Sequence, residues 1–298
     1  MTASNYKEKI EKFINYLPPI PAVLVELIRA LKSDDVDPNT LSRIIEKDPS
    51  MSMNVLKIAN SAFYNLAVQV QTIGHAVRML GVREITQLCI SCGTSKVLKS
   101  PKGRPSIDLD QFWQHSVATG VIASVLLKRF SFGSYPDLYL AGLIHDAGIF
   151  ILDQFVHDLY QKIVDLTYEK NIPLVEAERA VLGESHGNVG GWLMKKWRLP
   201  EMFVEIANYH HNVLGASKEY LIPVAIVSLA DQLARLKCHG FGGDMSGVIL
   251  AGTDAFKVLE EVDRSIRDVD IVKFVWDLDD TNQDILELKQ IMRGDYGQ

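Results

Sequence analysis

The sequence predicts an all-α protein, and three observations carry that reading. Apolar residues recur at i, i+3, i+4 and i+7 in one segment after another, the spacing that places them on one face of a helix. Two Asp-Pro pairs and a threonine stand where helix N-caps are expected. No segment of the first hundred residues alternates apolar with polar residues over a useful length, so nothing there reads as a half-buried strand.

In chain order, Leu24, Leu27, Ile28 and Leu31 form the first apolar stripe, entered through the extended run Pro18-Pro19-Ile20-Pro21. Asp37-Pro38 opens a helix holding Leu41, Ile44 and Ile45, and Asp48-Pro49 opens one holding Val55, Leu56 and Ala59. Thr72 caps a helix with Ile73, Ala76, Val77 and Leu80, which Gly81 terminates. Another helix runs over about 82–98. The breaker-rich stretch 100–105 (SPKGRP) is the expected boundary. Beyond it, longer and more apolar helices are expected at 112–128, 138–155, 174–182, 186–197, 200–209 and 222–236. The glycine-rich stretch 240–247 (GFGGDMSG) reads as a connection, because it lacks the Lys-Ser/Thr of a phosphate loop and precedes no strand. In the tail, Val258, Ile266, Ile271, Phe274, Val275, Ile285, Leu286 and Ile291 recur often enough for helices that pack back on the body. The expected division is 1–107, 108–239 and 240–298.

Composition limits the function. The 298 residues are 47% apolar and 23% charged, with 20 glycines and 11 prolines, which fits a globular chain with a sizeable core. The formal net charge of -6 argues against generic nucleic-acid binding. Charge is unevenly placed: residues 1–107 carry 14 Lys/Arg against 9 Asp/Glu, and residues 108–298 carry 17 against 28. Three cysteines make no disulfide framework, and Cys89 and Cys92, in an apolar stretch, read as core residues. The N-terminus has no apolar signal region, and an apolar run such as 221–230 is half the roughly 20 residues of a membrane helix, so a cytoplasmic protein without membrane contact is expected.

Five of the eight histidines form a pattern with two aspartates. His115 lies in FWQHSVATG, His145-Asp146 in AGLIHDAG, His186 in SHGNVGGWL, His210-His211 at the end of EIANYHH, and Asp231 in VAIVSLADQLA. One polar residue in an apolar helix is ordinarily a hydrogen-bonded core residue. Seven of them, all imidazole or carboxylate, share an explanation as ligands of a divalent metal, with Asp146 able to bridge two. His75, His157 and His239 lie in polar or loop settings and are expected at the surface.

The order H…HD…H…HH…D resembles the HD superfamily of metal-dependent phosphohydrolases. The chain to about residue 236 resembles more closely the HDOD domain family, HD-related output domains of bacterial signalling proteins. The resemblance is carried by LPPIPAVLVELI (17–28), IIEKDPSMSMNVLKIANSAFYN (44–65), QTIGHAVRMLGVREI (71–85), FWQHSVATG (112–120), YLAGLIHDAGIFIL (139–152), HGNVGGWLMKKWRLP (186–200) and YHH (209–211). It implies an N-terminal helical lobe packed on an HD-like helical domain, followed by a helical extension. Residue by residue, His115, His145, Asp146 and Asp231 match the core HD ligands. His186, His210 and His211 match the positions that hold a second metal in binuclear HD enzymes.

The resemblance further implies a signalling output or scaffolding module without established catalysis. Related phosphodiesterases read HDIGK where this chain reads HDAGI, so Ile149 replaces a lysine that would stand near the scissile phosphate. The HHE-x-DG-x-GYP run of cyclic di-GMP phosphodiesterases is absent as well. Lys195 and Lys196, which follow the His186 helix, are the candidate replacement cations and ligand-binding residues for a phosphate-containing small molecule. The expected cofactor is a divalent metal, one ion or a pair, with iron, manganese and nickel the candidates. Signalling proteins are expected as partners on the basic N-terminal lobe. The alternative is a metal-dependent phosphohydrolase acting on a phosphodiester or nucleotide. A less favoured DNA-binding reading rests on the tight turn between the helices around 40–47 and 49–59 and on the net +5 charge of residues 1–107.

Overall fold

The computed structural model describes residues 3–16, 21–31, 36–97, 105–135, 137–241 and 250–293, and among them there are helices and no strand. In chain order the α-helices are α1 (Ala3–Tyr16), α2 (Ala22–Leu31), α3 (Pro38–Glu46), α4 (Pro49–Ala59), α5 (Ile73–Leu80), α6 (Val82–Val97), α7 (Leu109–Arg129), α8 (Leu138–Ile144), α9 (Ala147–Phe155), α10 (His157–Lys170), α11 (Leu174–Leu182), α12 (His186–Lys196), α13 (Glu201–Tyr209), α14 (Leu221–Leu236), α15 (Asp254–Val262), α16 (Ile271–Asp277) and α17 (Asn282–Arg293). The expected boundary 100–105 falls almost wholly, and the glycine-rich stretch 240–247 largely, outside the described residues.

Contacts divide the chain into two compact units, Met1–Pro18 with Lys99–Asp277, and Pro19–Leu98 with Leu278–Gln298. This differs from the three consecutive segments expected from sequence. In the smaller unit α6 is the hub, packed by α2, α3, α4, α5 and α17. Its core includes Leu27, Leu41, Ile45, Val55, Ile58, Ile85, Leu88, Cys89, Cys92, Ile285 and Leu288, all buried. The caps are as expected: Asp37 accepts from the Thr40 N–H at 2.9 Å, Asp48 from Met51 at 3.0 Å and Thr72 from His75 at 3.1 Å. Asn60 holds the loop that follows α4 by accepting from the Val70 N–H at 2.7 Å and donating to the Val70 carbonyl at 2.8 Å.

The N-terminal charge excess is divided between the two units. Helix α1 and residues 99–104, which supply most of it, belong to the larger unit. The unit built from 19–98 and 278–298 carries 10 Lys/Arg against 12 Asp/Glu.

In the larger unit α7 is the central column, buried along most of its length and packed by α8 and α14. Gly120 and Gly142 let α7 and α8 nearly touch, since a Cβ on Gly142 would lie 2.9 Å from the Gly120 Cα. The apolar stretch 138–155, expected as one helix, is two: α8 stops at Ile144 and α9 starts at Ala147, with His145 and Asp146 as a turn between them. That stretch has the length and mean hydropathy (1.2) of a membrane-crossing helix, but 89% of it is buried inside the protein. Helix α12 covers α9 and is itself packed by α13, and α1 packs on α9, α11 and α12, with the tilted rings of Phe13 and Phe155 5.0 Å apart between centroids. In the tail Ile266, Phe274, Ile285 and Ile291 are buried as expected, whereas Leu286 is exposed. Cys89 and Cys92 are fully buried core residues, as expected.

The tightest approach in this unit is α9 on α12. A Cβ on Gly148 would lie 1.9 Å from the His186 carbonyl oxygen and 2.7 Å from the Gly190 nitrogen, both rigid backbone atoms. Gly148→Ala is therefore expected to lower stability by about 1–3 kcal/mol, the usual cost of overpacking. A lower urea midpoint with an unchanged slope is the expected readout, and an unshifted midpoint contradicts this packing.

Candidate metal centre

Five pieces of the larger unit bring their polar residues to one point. His115 comes from mid-α7, His145 and Asp146 from the α8–α9 turn, His186 from the first position of α12, His210 and His211 from just past α13, and Asp231 from mid-α14. The break between α8 and α9 matters here. Adjacent residues of a continuous helix point about 100° apart, but Asp146 leaves helical geometry (φ -95°, ψ 12°), and its carboxylate lies 3.2 Å from His145 Nε2.

Asp146 sits at the middle. Its Oδ1 is 3.3 Å from both His186 Nε2 and His210 Nε2, and its Oδ2 is 3.2 Å from His145 Nε2 and 3.9 Å from His115 Nε2. His186 Nε2 and His211 Nε2 are 3.0 Å apart, and Asp231 Oδ1 is 3.0 Å from His115 Nε2. Each oxygen of Asp146 therefore faces its own group: His186, His210 and His211 on one side, His115, His145 and, through His115, Asp231 on the other. Except for His211, which is half-buried, these side chains are almost wholly buried.

Three tautomers follow from the partners. His145 Nδ1 is 2.6 Å from the Gly142 carbonyl, and His210 Nδ1 is 2.9 Å from that of Ala207; a carbonyl only accepts, so each Nδ1 carries the proton. His186 Nδ1 donates to Glu178 Oε2 at 2.7 Å. In its neutral form, the form that binds a metal, each ring then presents its Nε2 lone pair inward. The Nε2 atoms of His115, His145 and His210, with Asp146 Oδ1 and Asp231 Oδ1, are buried and make no hydrogen bond, although they lie close together. Buried acceptors converging without donors are costly, and a cation bound among them removes that cost. Chemistry and geometry agree: this buried cluster could hold a metal.

The electrostatics agree. Burial disfavours a charged Asp146, yet His145, His186 and His210 hold its carboxyl well below the usual range. Asp231 is held low against burial by Arg235 and His115. Burial opposes charge on His186 too, but Glu178 and Asp146 push it up to about 10. His145 is raised, its burial outweighed by Asp146. Burial lowers His210, and burial with the neighbouring His210 and His186 lowers His211 strongly. Two ionised carboxylates thus draw positive charge to this point.

All seven predicted histidines and aspartates meet here, but the predicted lysines do not. Lys196 Nζ donates to the Asn15 carbonyl at 2.6 Å, and Lys195 is exposed. Both lie nine or ten positions along α12 from His186, roughly 14 Å of helix rise, too far to serve the cluster. Ile149 is fully buried. Of the histidines expected at the surface, His239 is in fact buried, and His157 opens α10 and lies 2.9 Å from the buried Asp153.

Two residues that the sequence reading passed over shape the site. Glu178 on α11 is fully buried and accepts from the His186 N–H at 2.8 Å, from His186 Nδ1, and from the Tyr160 hydroxyl at 2.6 Å. Arg235 on α14 donates to Asp231 Oδ2 at 3.1 Å. Both had a signal. Glu178 stands four residues from Leu174 and from Leu182, on the apolar face of its helix, and Arg235 stands one turn after Asp231.

The comparisons with known proteins agree with this architecture. A protein of Treponema pallidum (strain Nichols) described as uncharacterized is 27% identical over 223 residues, 74% of this chain, and this chain spans 43% of that protein's length. The structure of an HDOD domain protein with unknown function from Geobacter sulfurreducens matches with a TM-score of 0.79 at 25% identity, covering 98% of each chain. One from Shewanella amazonensis SB2B, provisionally described as a phosphohydrolase, shares the fold with a TM-score of 0.73 at 19% identity, over 95% of this chain and 98% of its own. The HDOD domain profile matches residues 17–213, well over half of the sequence, and the chain belongs to the HDOD domain family.

Proposed function

We propose that this protein is a signalling output module of the HDOD type, in which a pair of divalent metals, iron, manganese or nickel, clamps the larger unit without turning over a substrate. The observation that carries the metal is the set of converging, buried Nε2 and carboxylate atoms without hydrogen bonds. The ligands come from α7, the α8–α9 turn, α12, the end of α13 and α14. Binding free energy at such a point becomes folding free energy for all five pieces. Against turnover stands the buried Ile149 at the position where related phosphodiesterases carry lysine, together with the distance of Lys195 and Lys196. A transferring phosphoryl group relies on cations near its oxygens.

A partner protein is assigned to the smaller unit, which contributes no residue to the cluster and contains the family segments 44–65 and 71–85. That unit also contains α3 and α4, and its acidic balance gives duplex DNA little electrostatic footing. The phosphohydrolase alternative keeps one favourable observation, the full ligand set with a bridging Asp146. A bound metal pair supplies Lewis acidity to a phosphate ester; in this chain the Asp146 and Asp231 carboxylates would hold it and the imidazole Nδ1 partners would fix its ligands.

Two outcomes are expected. Elemental analysis of tag-free protein finds up to two divalent ions per chain, and Asp146→Asn loses most of both. Saturating metal at about 100 times its Kd raises stability by about 2.7 kcal/mol, seen as a higher Tm than in chelator; equal Tm values contradict a clamp. Metal-loaded protein is also expected to leave cyclic dinucleotides, nucleotides and simple phosphodiesters intact, whereas turnover abolished by Asp146→Asn would falsify the non-catalytic reading.

A further inference from the structure

The two sides of Asp146 are not equivalent. On the Oδ1 side, one donor atom each from Asp146, His186, His210 and His211 lies within 4.8 Å of every other, a complete four-donor set. On the Oδ2 side only His115, His145 and Asp146 meet that condition, and Asp231 approaches through its 3.0 Å contact with His115. Four-coordinate binding therefore needs rearrangement on the second side and little on the first.

The charges behind the ligands point the same way. His186 is backed by the Glu178 carboxylate, buried and 2.7 Å from Nδ1. An anion there pulls the Nδ1 proton, raises the donor strength of Nε2 and fixes the ring. Glu178 is in turn fixed by the Tyr160 hydroxyl and the His186 N–H. On the other side, Asp231 has its second oxygen engaged by the Arg235 guanidinium at 3.1 Å, in a site where both side chains are at most 10% exposed. A cation behind that ligand withdraws electron density from it and repels an incoming divalent ion in poorly screened surroundings.

We propose that the centre loads in order: the first metal occupies the Asp146, His186, His210 and His211 side with higher affinity, the second occupies the His115, His145, Asp146 and Asp231 side, and Glu178 is the positioning residue that selectively tightens the first. This rests on the metal-centre reading above and adds an inequality to it. The chain would then distinguish a one-metal from a two-metal state as metal supply changes, with the weaker half as the half that responds.

Titration of metal-free, tag-free protein with cobalt(II), followed by calorimetry and by visible d–d absorption, tests this. Two steps are expected, with affinities at least about tenfold apart and different spectra. His211→Ala, at the half-buried rim where folding is least at risk, removes the tight step and its spectrum and leaves the weak one. His115→Ala does the reverse. Glu178→Gln, which keeps side-chain shape, weakens the tight step by about 10–100-fold and leaves the weak step unchanged, a selectivity that general destabilisation does not produce. Two equal steps, loss of the tight step in His115→Ala, or equal weakening of both steps in Glu178→Gln overturns the order. An absence of any cobalt binding removes the metal centre itself, a result separable from two equal sites.

Discussion

Asp146 is the carboxylate on which the rest of the larger unit depends. It faces imidazoles on both sides, with its oxygens 3.2–3.3 Å from His145, His186 and His210. To reach them it must leave the helix, and the chain supplies the turn between α8 and α9 for that purpose. The glycines on either side serve the same geometry. Gly142 lets α8 press against α7, which brings His145 toward His115, and Gly148 lets α9 press against the first turn of α12, which brings Asp146 toward His186. Packing and chemistry are therefore one constraint: the backbone crossings that bury the core also set the spacing of the clustered imidazoles and carboxylates.

The outer layer of the site follows from the same placement. Backbone carbonyls at the ends of α8 and α13 take the Nδ1 protons of His145 and His210, so the helix ends themselves select the tautomers. His186 stands at a helix N-terminus, and there a side chain, Glu178, takes the Nδ1 proton. This gives a physical reason for a buried glutamate on α11 and a buried tyrosine hydroxyl on α10. It also places an anion behind one half of the centre and a guanidinium behind the other.

Much of this was legible in the sequence. Helix starts marked by Asp-Pro or Thr were legible because a cap is a local interaction, read within four residues. The seven clustered histidines and aspartates were legible because ionisable residues in apolar helices need a common explanation. The α8–α9 break was not, because 138–155 is strongly apolar on both sides of His145-Asp146 and the helical signal does not register a two-residue turn. Lys195 and Lys196 looked close to the site only in sequence; along a helix, ten residues are a long way. The exchange of terminal helices between units, α1 to the larger and α17 to the smaller, was invisible because it is set by long-range packing. For the same reason the basic N-terminal half of the sequence does not become a basic unit of the fold.

The central claim is that the imidazoles and carboxylates around Asp146 are metal ligands and not a self-satisfied polar core. Element-specific anomalous scattering from a crystal of metal-loaded, tag-free protein tests it most directly. The account predicts anomalous density on both sides of Asp146, stronger among His186, His210 and His211 and weaker toward His115, His145 and Asp231. Density confined to surface histidines, or none beside Asp146, would contradict it.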